Sequence, residues 1–98
     1  MKRVLCAMVL IGAAAPVLAA NPEDCGYQSE VVKTVQEARL ARVKEREVLA
    51  YVAKTAPTWP EAYNNVVPLV APWIYEMKMG EIRKADLGAA WNEMCLKQ

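Results

Sequence analysis

Residues 27–38, YQSEVVKTVQEA, decide the fold of this chain. At about 100° per residue, Tyr27, Val31, Val32, Val35 and Ala38 fall on one side of a helix. Glu30, Lys33 and Glu37 fall opposite. Ser29 reads as an N-cap for the regular part, with Glu30 next to it at the positive end of the dipole. Upstream, Asn21 to Gly26 reads as a short extended lead-in, punctuated by Asn-Pro and Cys-Gly. Downstream the stripe fails, because Arg42 projects onto the face of Val31 and Val35. The run Arg42-Val43-Lys44-Glu45-Arg46-Glu47 then spreads charge around the axis. Burying an unpaired charge is costly, so a turn or kink is expected near Arg42 to Lys44.

A second apolar stripe, Val48, Leu49, Val52 and Ala53, ends before Thr55-Ala56-Pro57, where the proline pushes its predecessor out of the helical region. Thr58 reads as the cap of a third helix with Pro60 in its first turn. A break or bend is expected near Val67-Pro68, since proline inside a helix removes a hydrogen bond. Leu69, Val70, Trp73, Ile74 and Met77 then form an apolar face, and Gly80 marks the stop. The last helix is expected over about Glu81 to Leu96, with Leu87, Trp91, Met94 and Cys95 on one face. Close packing is expected at Gly88, where glycine costs a helix up to about 1 kcal/mol. Strand alternation and hairpin turn pairs are absent. These residues predict an all-α domain of four or five helices.

The first nineteen residues read as a cleaved secretory signal. Lys2 and Arg3 form a positive start, Val4 to Ala15 carries no charge, and Val17-Leu18-Ala19 suits a signal peptidase. That apolar run is shorter than the roughly 20 residues needed to span a bilayer. Neither Cys6 nor Cys25 follows the Leu-small-small run of a lipoprotein signal. A single helical domain over 20–98 in the periplasm is therefore expected. Two cysteines remain in it, and an oxidising compartment predicts one disulfide between Cys25 and Cys95. A domain this small often needs such a staple.

Charge and composition narrow the function. The full chain has 12 Lys+Arg and 11 Asp+Glu. Loss of Lys2 and Arg3 with the leader makes the mature net charge −1, without the basic footprint of nucleic-acid binding. Histidine, the commonest general base and metal ligand, is absent. Ser29 is the only serine, the four glycines are isolated, and the two mature cysteines lack Cys-x-x-Cys spacing. No catalytic residue, metal site or small-molecule cofactor is read from the chain, and it is not expected to be an enzyme.

Three tryptophans raise the question of binding against packing. Trp73 and Trp91 lie on apolar stripes and are expected in the core. Trp59, at a loop-to-helix junction, and Tyr75, off the Leu69-Trp73-Met77 face, are the candidates for an exposed patch, with Met79 beside them. The charged segment Arg39 to Glu47 reads either as a solvated turn or as a docking corner. Trp59, Tyr75, Arg39 and Arg42 are thus the candidate binding residues, since interface energy concentrates in aromatic and arginine side chains.

Cys25 opens the first helix, an Ala-Arg pair at Ala38-Arg39 follows about fourteen residues later, Ile74-Tyr75 comes late, and Cys95 closes the chain. This layout resembles a loose group of small exported two-cysteine proteins of Gram-negative bacteria and their phages. Arg42 stands where that group often has glycine. The resemblance implies a periplasmic address and a helical fold, without an assigned activity. The expected function is a non-catalytic factor that binds another protein of the cell envelope, of the inhibitor, immunity or phage-exclusion type. A periplasmic stress chaperone of the small disulfide-bonded helical type is the alternative.

Overall fold

Asn21 and Pro22 open the longest helix among the described residues. The computed structural model describes residues 21–55 and 57–98, so the expected leader over 1–19 lies outside the described residues. Asn21 Oδ1 accepts the backbone N–H of Glu23 at 2.8 Å and of Asp24 at 3.4 Å. It thereby caps α1, Pro22–Leu40. Proline at the first helical position gives up no helical bond, and Glu23 and Asp24 sit at the positive end of the dipole. The extended lead-in expected over 21–26 is corrected, and with it the capping role of Ser29. Asparagine followed by proline suits a turn and an N-cap equally, and here the cap wins.

The turn expected near Arg42 forms, and it forms without glycine. Val43 N–H donates to Ala38 O and Arg42 N–H to Arg39 O, each at 3.0 Å. These two bonds make the Schellman ending of a helix. Arg42 takes the left-handed position with φ 64°. A short 3₁₀ turn, Glu45–Glu47, leads into α2, Val48–Lys54.

Another 3₁₀ segment, Glu61–Val66, runs directly into α3, Val67–Glu76. The break expected at Val67-Pro68 is thus a change from 3₁₀ to α, with Pro68 in the first turn of α3. The helix continues through Pro72. Thr58 does not cap a helix; its hydroxyl donates to Glu30 Oε1 at 2.7 Å. Pro60 precedes the 3₁₀ segment instead of lying in a first α-turn.

The single terminal helix expected over 81–96 is two helices, α4, Met79–Lys84, and α5, Leu87–Leu96. Gly80 lies inside α4 and stops nothing. Asp86 makes the division, because its Oδ1 accepts the Ala89 N–H at 3.0 Å and starts α5 afresh. Five α-helices and no strand are present among the described residues.

α1 is the axis on which the other helices pack. Its Val31, Val32, Val35 and Ala38 meet Val48 and Val52 of α2 and Val67, Val70, Ala71 and Ile74 of α3. Trp59, Ile82 and Leu87 complete the core. Leu49 and Ala53 face outward, against expectation, and so does Leu69 at 75% exposure. Trp73 was expected inside and is 39% exposed. The buried face of α3 is centred on Val70 and Ile74, one position round from the stripe through Leu69 and Trp73.

α5 lies against the first half of α1, held by covalent and polar ties. A disulfide joins Cys25 to Cys95, with Cα atoms 5.7 Å apart and 70 residues between them. Ser29 Oγ donates to Gly88 O at 2.7 Å, and Trp91 Nε1 donates to Gln28 Oε1 at 2.9 Å. A Cβ at Gly88 would stand 3.0 Å from Ser29 O, so glycine permits the close approach. Gln36, buried in α1, donates through Nε2 to Ile82 O and Ala85 O and accepts from Leu87 N–H. One side chain thereby satisfies both sides of the α4–α5 break.

Candidate functional site

The other end of α1 carries a groove. The Schellman turn turns the chain away from α1, and α2 then comes back beside α3. Between them opens a cavity of about 750 Å³, a size that takes a drug-sized ligand or several side chains. Its walls and floor are apolar: Val43, Leu49, Val67, Pro68, Ala71 and Pro72. Leu49 is 52% exposed, and Pro68 and Pro72 are also exposed. Four cations, Arg39, Arg42, Lys44 and Arg46, line it against the single carboxylate of Glu45.

Tyr75 and Arg39 close one end. The Tyr75 hydroxyl donates to Val43 O at 2.6 Å, tying α3 to the turn that follows α1. Burial pushes its phenol above the usual tyrosine range; the Arg39 guanidinium opposes that shift, while Glu45 and Tyr51 add to it. The neutral, donating phenol is therefore the form in place. The Arg39 guanidinium carbon lies 5.3 Å from the centre of the Tyr75 ring, within cation–π range. Arg39 Nη2 donates to Met77 O at 3.3 Å. Its buried Nε has no hydrogen-bond partner, an arrangement that costs about 1–3 kcal/mol for a neutral donor and more for a charged one.

Of the candidate binding residues, Arg39, Arg42 and Tyr75 meet in this groove. Trp59 does not. It is 7% exposed, belongs to the core, and its Nε1 donates to Asn64 Oδ1 at 2.8 Å. The expectation of an exposed Trp59 is corrected: Thr58 and the 3₁₀ segment fold the ring inward. Leu49, Pro68 and Pro72 are groove residues; periodicity assigned Leu49 to a packing stripe, and Pro68 was read only as a bend. Their signal in the sequence was a leucine two residues after a charged run and two prolines spaced by four.

A second exposed surface lies elsewhere. Trp73 of α3 and Trp91 of α5 have ring centroids 6.0 Å apart, tilted by 39°. Trp91, expected in the core, is half-buried, and Leu69 and Met94 extend the apolar surface on either side. Near the start of α1, the Tyr63 hydroxyl donates to Asp24 Oδ1, which raises the Tyr63 pKa to about 12.

Among the described residues, no cluster of three or more His, Cys, Asp or Glu side chains could hold a metal ion. No described helix is long and apolar enough to cross a membrane. Comparison with protein-family models, with curated proteins and with solved structures finds no match to this chain.

Proposed function

We propose that the chain is exported by a leader over 1–19 and that its mature part, 20–98, acts in the periplasm as a non-catalytic factor that binds another envelope protein. It works by occupancy, in the manner of an inhibitor, immunity or phage-exclusion factor. The observation that carries this reading is the groove where Arg39, Arg42 and Tyr75 come together over exposed apolar side chains. Aromatic and arginine residues beside a desolvated pocket are the anchors of protein interfaces. Arg42 adds to it. A non-glycine residue at positive φ costs about 1–2 kcal/mol, and such strain concentrates at binding sites.

Site-specific photo-crosslinking in the periplasm tests the proposal. A photoreactive residue replacing Leu49, in the groove, should yield a covalent adduct with one protein. The same residue replacing exposed Glu93 of α5 should not. Adducts from neither position, or equal adducts from both, would remove the groove as the docking site.

The chaperone reading has its own supporting observation, the exposed apolar surface of Leu69, Trp73 and Met94. It expects suppression of aggregation of several unrelated unfolded proteins, with the effect reduced by Trp73→Ser and indifferent to changes in the groove.

A further inference from the structure

We infer that the groove takes an acidic, apolar segment of its partner: a stretch of chain with two or more carboxylates beside aliphatic or aromatic side chains. This rests on the protein-binding reading above and adds the chemistry of what is bound.

Charge contrast carries the inference. The mature chain is net negative, yet four cations and one carboxylate line this cavity. Cations concentrated around a low-dielectric apolar wall focus a positive potential, whereas the rest of residues 20–98 carries six Lys and Arg against ten Asp and Glu. Arg42, Lys44 and Arg46 are exposed and within reach of an incoming segment. Arg39 offers a further donor. Its Nε–H has no partner, and its bond to Met77 O is long at 3.3 Å. A small rotation of the guanidinium towards a carboxylate in the groove would give up that weak bond and gain shorter, charge-assisted ones. The apolar payload of the segment would cover Leu49, Pro68 and Pro72, which are exposed in the free protein.

Other anions fit less well. A flat anionic membrane would meet Glu45 and Glu47, interleaved with the cations in the same short stretch, and it cannot enter a concave cavity. A nucleic-acid strand needs a basic track, whereas this floor is aliphatic. A peptide segment can set its carboxylates opposite the cations alone.

The test uses protein purified from the periplasm with its disulfide intact and two fluorescent peptides. One alternates leucine with glutamate, the other leucine with lysine. The glutamate peptide should bind at least about tenfold more tightly at low salt, equivalent to about 1.4 kcal/mol, and lose that advantage as salt screens the rim. In the double variant Arg42→Glu, Lys44→Glu the preference should reverse. Arg42 and Lys44 are exposed and glutamate is no easier than arginine to hold at positive φ, so circular dichroism should keep its helical signal while the thermal midpoint falls modestly from the reversed charge at the end of α1. Equal binding of both peptides overturns the inference, as does an acidic preference that survives in the double variant. Sedimentation of the protein with anionic phospholipid vesicles, without binding of the glutamate peptide, also overturns it. A protein adduct at Leu49 together with charge-blind peptide binding would keep the docking site and discard only its acidic ligand.

Discussion

The two ends of α1 are built on opposite plans. At the first half, α5 is clasped by a disulfide, a glycine contact and hydrogen bonds donated by Ser29 and Trp91, and further along α1 Gln36 accepts from Leu87 N–H at the start of α5. Polar groups there find partners inside the protein. At the second half, an arginine sits in the left-handed region, a buried guanidinium nitrogen lacks a partner, and leucine and proline side chains face outward. One helix thus carries a closed end and an open end. The difference separates a region whose cysteines and polar groups are paired from one where a buried N–H and apolar side chains are left uncovered.

The largest effect should come from opening the clasp. Replacing both Cys25 and Cys95 with serine removes the constraint on a 70-residue loop, which the chain-entropy account values at about 4 kcal/mol. Urea denaturation should show that loss, with complete unfolding as the limit. A double variant of unchanged stability would show that the contacts of α1 with α5 suffice without the bridge.

Gln36→Leu keeps the bulk of the side chain but leaves Ile82 O, Ala85 O and Leu87 N–H without their partner. The expected cost is about 2–3 kcal/mol, read in the same experiment. Peptide binding in the groove should survive wherever the protein remains folded. Arg42→Gly should act the other way. It relieves a left-handed arginine at about 1–2 kcal/mol but adds about 0.5–1 kcal/mol of glycine entropy in the unfolded chain. The net gain should be up to about 1.5 kcal/mol of stability, together with weaker binding of the glutamate peptide. A variant that loses stability would mean that the Arg42 side chain helps to hold the turn.

The smallest effect is a dependence on pH at the start of α1. The folded Tyr63 pKa is raised to about 12 from 10.0, chiefly by its hydrogen bond to Asp24. The unfolded chain therefore loses this proton first, and the stability it contributes is fully present below pH 10 and declines as pH rises towards 12. Tyr63→Phe should flatten the fall in stability across that window. Tyr75 is raised as well, so the assignment rests on the variant: tyrosinate absorbance should show a late-titrating tyrosine that Tyr63→Phe removes, and a late phase unchanged by that substitution would remove the Asp24 bond from the account.

The sequence by itself determined the helical class, the cysteine pairing partners and the turn at Arg42. The first and last follow from short-range physics, the period of Val31, Val32 and Val35 and the charge on the same face at Arg42; the pairing followed from reading Cys6 as part of a leader, which left Cys25 and Cys95. It also pointed to Arg39, Arg42 and Tyr75, though not to their meeting in one groove. Tertiary structure alone decided where helices start when two polar caps compete. Asn21 prevailed over Ser29 because Ser29 found a carbonyl on α5, and Asp86 divided the last helix because Gln36 satisfied the broken ends. It also decided which tryptophan is inside. A stripe of period 3.6 shows that a face is apolar without showing what covers it, and the wall opposite Trp59 or Trp73 is supplied by residues distant in the chain.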